Sequence, residues 1–180
     1  TGVQTCALPI LEDLSFRFTE PETYRHIASL LEERRVEREA FIAQSMQALR
    51  EALAGAGLEA EVSGRPKHLF SIYNKMRNKS LAFGELKDLR ALRVLVPEVK
   101  DCYTALGVVH DLWQPIPEDF DDYIARPKDN LYRSLHTAVV APDGRPLEVQ
   151  IRTHEMHRVA ELGVAAHWRY KEGDSRGEQA

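Results

Sequence analysis

The sequence predicts an α+β fold, with a helical segment leading into a domain of strands and helices. Three observations carry this. Apolar residues from Ile27 to Leu53 recur at helical spacing. Asp88-Leu-Arg-Ala-Leu-Arg-Val-Leu-Val-Pro97 is a short apolar run closed by proline, the pattern of a central strand. Leu135–Val140 and Leu147–Arg152 flank the turn signal Pro142-Asp-Gly144 and read as a hairpin. With 180 residues the chain is long enough for one domain with a real core and an appendage.

Residues 1–10 resemble the in-frame translation of a sequencing-adapter oligonucleotide, so they are expected to be foreign to the fold and are set aside with Cys6. On that reading the sequence is a fragment entered partway through a longer protein. Glu12–Glu20 reads as short and mixed. Pro21-Glu-Thr-Tyr24 opens the long helical pattern, with proline at an early position. Its apolar residues are Ile27, Leu30, Leu31, Val36, Phe41, Ile42, Met46, Leu49 and Leu53, and Gly55-Ala-Gly57 ends it. The charge block Glu32-Glu-Arg-Arg35 is a solvated face or a junction between two helices. Residues 11–57 thus form a helical segment, and the domain begins at 58.

Leu58–Val62 alternates as a short strand. A helix follows from Lys67 to about Met76, with Leu69, Ile72, Tyr73 and Met76 as its apolar stripe. Arg65, Lys67, Lys75, Arg77 and Lys79 make a basic cluster around it. In a chain of net charge -4 this concentration invites a polyanion, although a solvated helix end explains it equally well. In the strand of 88–97, Asp88 and Arg93 are costly unless paired or used. Val99–Trp113 reads as an amphipathic helix with Tyr103, Leu106, Val109, His110 and Trp113 inward. His110 reads as a packing or surface histidine, and Cys102 as an inert, partly buried thiol. Glu118-Asp-Phe-Asp-Asp122 is an acidic loop able to stay solvated, hold Mg²⁺ or repel phosphate. His154 to about Tyr170 is a helix, with Met156, Val159, Leu162, Val164, Ala165 and Trp168 on or near its buried side; residues 174–180 are a polar tail.

Arg126-Pro-Lys-Asp-Asn-Leu-Tyr-Arg-Ser-Leu-His-Thr137 is the most informative stretch. Lys128, Asn130, Tyr132, Ser134 and His136 fall on every second residue, so an extended chain places them on one face. In the returning strand Leu147, Val149 and Ile151 alternate with Glu148, Gln150 and Arg152. An edge hairpin with a solvated polar side is the bland alternative. The mixed chemistry of the set and the carboxylate on the second strand argue against it.

The composition excludes several classes. Hydrophobic residues at 43% and charged residues at 29% are those of a soluble globular protein, and no apolar run approaches a membrane span. Net negative charge disfavours RNA or DNA binding. Two cysteines make neither a disulfide scaffold nor a zinc site, which fits a reducing cytoplasm. If the strands carrying Asp88 and Glu148 are neighbours, their carboxylates converge across about 4.8 Å. Such a pair needs a cation, and Mg²⁺ takes one or two carboxylates plus substrate phosphates. The basic cluster with Arg93 suits a triphosphate, and Tyr132 suits stacking on a base. These parts fit Mg²⁺-dependent transfer between two nucleotides, where positioning and charge neutralisation dominate. The sequence has no Walker-type or kinase glycine loop, so side chains must cradle the phosphates.

The stretch from Gly64 to Trp168 resembles the synthetase domain of the RelA/SpoT family of (p)ppGpp synthetases. The motifs are Arg65-Pro-Lys67, Asp88-Leu-Arg-Ala-Leu-Arg93, Tyr123-Ile-Ala-x-Pro-Lys128, Asn130-x-Tyr-x-Ser-x-His136, Glu148-Val-Gln-Ile-Arg-Thr153 and Ala160-Glu-x-Gly-x-Ala-Ala-His-Trp168. The likeness spans roughly 58–173, and 11–57 resembles the helical segment preceding this domain in long members. It implies a nucleotidyltransferase-like mixed β-sheet flanked by helices, and transfer of the β,γ-pyrophosphate of ATP to the 3′-hydroxyl of GDP or GTP. It further implies Mg²⁺ on Asp88 and Glu148, with Glu148 also the base or orienter. Arg65 is implied to pack on adenine, and Lys67, Lys75 and Arg93 to hold ATP phosphates. Tyr132 is implied to stack on guanine, with Lys128, Asn130, His136 and Gln150 around the acceptor.

Family members carry either a basic Arg-x-Lys-Asp or an acidic Glu-x-Asp-Asp motif before the tyrosine. This chain has Asp119-Phe-Asp121-Asp122, the acidic kind with Asp for Glu, which resembles the synthetase-dominant long enzymes and implies a GDP-leaning acceptor. Hydrolase and regulatory domains of long members are expected outside this sequence, ribosome contact is expected only through them, and no (p)ppGpp hydrolysis is expected of these residues. The alternative in a different class is a non-catalytic guanine-nucleotide-binding or partner-docking domain.

Overall fold

The computed structural model describes residues 7–65, 67–80 and 90–162, without the side chains of residues 7–10, 33 and 79. Three helices come first: α1 (Ala7–Thr19), α2 (Pro21–Glu33) and α3 (Arg35–Gly55). The stretch read as short and mixed is therefore the body of α1, which also takes in Ala7–Ile10 from the residues set aside. The reason is tertiary. Phe16 is buried and stacks on Tyr73 with ring centroids 4.6 Å apart. Asp13 Oδ1 accepts a 2.8 Å hydrogen bond from the Phe70 N–H. Pro21 opens α2 as expected, and the chain breaks at Arg34, so the charge block is a helix junction. α3 ends at Gly55. The Leu58 N–H then folds back onto the Leu53 carbonyl at 3.0 Å, with Gly57 at φ +71. Leu58 is spent in that helix cap, so strand β1 is Glu61–Gly64 rather than 58–62.

α4 (Leu69–Lys79) begins two residues later than expected, because His68 stays extended, and it stops at Ser80 in the left-handed region. Its stripe of Leu69, Ile72, Tyr73 and Met76 packs with Phe16, Tyr24, Ile27, Leu30 and Leu31 in a small core of α1, α2 and α4. Strand β2 is Ala91–Val96. α5 (Val99–Leu112) starts on a reciprocal capping box between Glu98 and Asp101. Its inward stripe is Cys102, Ala105 and Val109, not Tyr103 and His110. Small side chains let the helix lie close to the sheet. Tyr103 is 42% exposed and donates its hydroxyl to Asp122 at 2.9 Å. Cys102 is fully buried, and burial pushes its thiol up to about 11, so it is inert.

Strands β3 (Gln114–Pro115), β4 (Asp121–Asp122), β5 (Leu135–Val140) and β6 (Pro146–Thr153) follow, and α6 (His154–Leu162) continues β6 without a loop. The hairpin turn holds Gly144 at φ +78, a conformation suited to glycine. On α6 Met156 is buried, whereas Val159 and Leu162 are exposed; Val164, Ala165 and Trp168 lie outside the described residues.

The sheet order is β1-β2-β6-β5-β3, with β4 also on β5. β2 and β6 run parallel and the other pairs antiparallel, so the sheet is mixed. One face carries Leu92, Val94, Val96, Leu135, Val139, Leu147, Val149 and Ile151 against α3 and α5, and this is the main core. Period-two alternation then sends Arg93, Glu148, Gln150, Arg152 and His136 to the other face.

Candidate active site

The register aligns one polar rung across five strands: Ser63, Arg93, Gln150, His136 and Asp121. Beside it Ala91, Glu148 and Ala138 are level. The strand read from Asp88 starts, among the described residues, at Ala91; it neighbours the Glu148 strand, the condition set for the two carboxylates to converge, and the Glu148 N–H donates to the Arg90 carbonyl at 3.0 Å. Asp88 itself lies outside the described residues.

Glu148 is held between two cations. Arg65 donates to Oε1 and Lys67 Nζ lies 2.9 Å from Oε2. Burial alone would raise the carboxyl pKa, but Lys67 and Arg65 outweigh it and hold Glu148 below its ordinary value. The carboxylate is therefore ionised at neutral pH. Burial lowers Lys67, opposed by Glu148. Both oxygens of this 17% exposed carboxylate are taken by cations, so a metal ion reaches them only when Arg65 and Lys67 let go. Among the described residues no three His, Cys, Asp or Glu side chains cluster as a metal site.

Next to this carboxylate stands an aromatic corner. Tyr123 meets Tyr132 at 6.2 Å and His136 at 5.4 Å, both edge-on, and Tyr132 meets His136 at 5.7 Å. Lys128 Nζ lies 4.3 Å from the Tyr123 ring centroid and 5.4 Å from that of Tyr132. Tyr123 opens the Tyr-Ile-Ala-x-Pro-Lys motif, for which the family likeness implies no role at the tyrosine; its place one residue after β4 supplies the third wall. Burial, with Arg65 and Lys128 adding, lowers His136 to about 4 against the pull of Glu148, so its imidazole is neutral.

The alternating pattern read through 128–136 is only partly extended. Only from Leu135 is the chain a strand. Before it, Leu131 sits at φ 63, the Lys128 N–H bonds the Tyr132 carbonyl at 3.1 Å, and Asn130 Oδ1 accepts from the Tyr132 N–H at 3.2 Å. Asn130 thus shapes the turn that presents Tyr132. Ser134 does not share the polar face. It is fully buried and bonds the Ile151 carbonyl at 3.1 Å.

The acidic motif divides. Asp119 ends a short 3₁₀ turn (Pro117–Asp119) and is exposed. Asp121 is exposed and level with His136. Asp122 is spent on structure, since Oδ1 accepts from the Ile124 and Ala125 N–H groups at 2.9 and 2.8 Å. His110 is structural as expected, with Nε2 2.7 Å from Thr137 Oγ1. Arg93, which bonds Gln150, reaches to 3.9 Å from Glu161, and Glu161 also faces the buried Arg152 at 3.8 Å. Lys75 lies on α4, partly buried.

The family model described as "Region found in RelA / SpoT proteins" matches residues 64–175. The chain is 52% identical over 167 residues to proteins named GTP pyrophosphokinase from Photobacterium angustum and Escherichia coli. Those alignments cover 93% of this chain and 22% of the relatives, so the chain spans about a fifth of their length. Among solved structures, a GTP pyrophosphokinase family protein from Streptococcus pneumoniae superposes with TM-score 0.59 at 26% identity, covering 78% of each chain. Small alarmone synthetase 1 from Bacillus subtilis does so with TM-score 0.54 at 27% identity, covering 77% of this chain and 81% of that one. The fold is therefore that of alarmone synthetase domains.

Proposed function

The chain belongs to the RelA/SpoT family, and from that membership we propose that it transfers pyrophosphate from ATP to the 3′-hydroxyl of GDP or GTP, making (p)ppGpp. The observation that carries this is the placing of an ionised Glu148, caged by Arg65 and Lys67, beside the corner of Tyr123, Tyr132 and His136 on one face of a mixed sheet.

In this reading the acceptor base stacks on Tyr132, within reach of Lys128. Glu148 orients the 3′-hydroxyl and takes its proton. The 3′-oxygen attacks the β-phosphorus of ATP, the bond from that phosphorus to the α–β bridging oxygen breaks, and AMP departs with the bridging oxygen. Asp88 and Glu148 are the residues proposed to hold Mg²⁺, which when bound supplies neutralisation of phosphate charge. Lys67, Lys75 and Arg93 hold the ATP phosphates, with Arg65 against adenine. For Arg65 and Lys67 this means trading Glu148 for substrate as the nucleotides arrive. The acidic motif, through Asp119 and Asp121, favours GDP over GTP.

We assign synthesis to residues 58–173 and a linking role to the helical segment of 11–57. No helix among the described residues is long and apolar enough to cross a membrane, and a cytoplasmic site of action fits the substrates. No contact with ribosomes is assigned to these residues. The test is incubation of the chain with ATP, GDP and Mg²⁺. Formation of ppGpp and AMP in equal amounts, lost in Asp88→Ala and Glu148→Gln, is expected; GDP binding without turnover at any Mg²⁺ concentration would overturn the assignment.

A further inference from the structure

Gln150 is 1% exposed, and both ends of its amide are occupied by protein. Its Oε1 accepts a 2.8 Å hydrogen bond from Arg93 Nε. Guanidinium is a donor only, so this contact fixes which end of the amide is oxygen. Nε2 must then point the other way, where it donates to Tyr132 Oη and lies 3.3 Å from His136 Nε2. Tyr132 Oη, accepting from Gln150, is left to donate, and its neighbour at 2.7 Å is His136 Nε2. That nitrogen faces an amide N–H and a phenol O–H and carries a lone pair. The neutral imidazole therefore holds its proton on Nδ1. Hydrogen bonds run in one direction, Arg93 to Gln150 to Tyr132 to His136, along the rung linking β2, β6 and β5.

We propose that Gln150 is a positioning residue that acts on the acceptor through Tyr132, not a nucleotide ligand as the family likeness implies. It locks the hydroxyl of Tyr132 onto His136 and so fixes the plane of the ring on which the acceptor base stacks. A buried amide with both ends committed has no surface to offer a nucleotide. This inference rests on the assignment of Tyr132 as the base platform.

The substitution that isolates the effect is Gln150→Glu. A carboxylate still accepts from Arg93, but it cannot donate to Tyr132. The hydroxyl must turn toward the carboxylate, and His136 Nε2 loses its donor. In a ¹⁵N long-range correlation spectrum of the intact chain at neutral pH, wild-type His136 is expected as the Nδ1–H tautomer, and Gln150→Glu is expected to put a proton on Nε2. GDP binding by calorimetry should weaken about five- to tenfold, the scale of one or two hydrogen bonds. In the Tyr132→Phe background the same substitution should change GDP affinity less than twofold, since the hydroxyl it acts through is gone. An unchanged His136 spectrum, or an equal loss of affinity in both backgrounds, overturns the proposal. Should Gln150→Glu not fold, Tyr132→Phe alone must still change the His136 spectrum, and its failure to do so overturns the relay. A wild-type chain that shows the relay and binds GDP but makes no ppGpp would sink the proposed activity and leave this inference standing.

Discussion

Arg90 grips Asp143 through two hydrogen bonds, 2.7 and 3.0 Å long, while its guanidinium lies 3.6 Å from the ring centroid of Phe41. The pair ties the entry of β2 to the turn of the β5–β6 hairpin, and Phe41 brings α3 to the same point. The hydrogen bond from Arg90 drives the Asp143 carboxyl down to about 2. Arg90 is 8% exposed, whereas Asp143 is exposed and also held by the N–H and guanidinium of Arg145, so Arg90→Leu loses a stacked, hydrogen-bonded cation without stranding a charge; it should cost about 1–2 kcal/mol in urea unfolding. Asp143→Asn keeps an acceptor and should cost clearly less. Equal losses for the two would show that charge and stacking count for little there.

Removing the charge of Glu148 while keeping its shape separates chemistry from folding. Glu148→Gln should lower ppGpp formation by about 10² to 10³-fold, the worth of several kcal/mol of metal-centred charge stabilisation. GDP affinity should change little by comparison. A variant with more than a tenth of wild-type turnover would take Glu148 out of the reaction.

Tyr132 separates stacking from hydrogen bonding. Tyr132→Ala removes ring and hydroxyl together and should weaken GDP binding by about 2–3 kcal/mol, whereas Tyr132→Phe keeps the face and should lose only the five- to tenfold, about 1–1.4 kcal/mol, carried by the hydroxyl. Calorimetry with GDP alone reads both. Equal losses would mean that the ring face does not carry the base.

His136 gives the fold a predictable acid sensitivity. Its folded value of about 4 lies below the ordinary 6.5, so between those values the unfolded chain binds more protons. Stability should be level above about pH 6.5 and fall as pH drops toward 4. Burial also lowers His110 and His157, which add the same sign, while the Asp143 contribution is lost only nearer pH 2. His136→Gln should therefore flatten part of the slope of melting temperature against pH in this window, without abolishing it. A parallel pair of curves would refute the assignment.

The four longer strands and most helices were legible because their apolar residues alternate or recur with one period each; β3 and β4 were not, since two residues are too few to show a period. Leu147, Val149 and Ile151 predicted the inward face of β6, and each is fully buried. The junction at Arg34 was legible as a charge block. α1 was not, because what holds it is Phe16 finding Tyr73, a contact that no local pattern encodes. The buried face of α5 escaped for a related reason. Two stripes pass through Val109, and only the distance to the sheet selects the one built from Cys102 and Ala105. In the site, alternation found His136 and Tyr132 but misplaced Ser134, which precedes the start of β5 at Leu135 and turns its hydroxyl to the Ile151 carbonyl. The partners of Gln150 were not legible, because they depend on register across three strands.

α4 is fastened to α1 and α2 through Phe16, Ile27 and Ile72, whereas Glu148, Gln150 and Arg93 ride on a sheet consolidated by α3 and α5. The basic helix and the strand of Glu148 thus rest on two different apolar clusters, and Arg65 and Lys67, between β1 and α4, meet that strand at Glu148. The two clusters share no residue, so a cavity cut into the small one, as by Ile72→Ala, loosens the seat of Lys75 and leaves the apolar layer behind Glu148 intact.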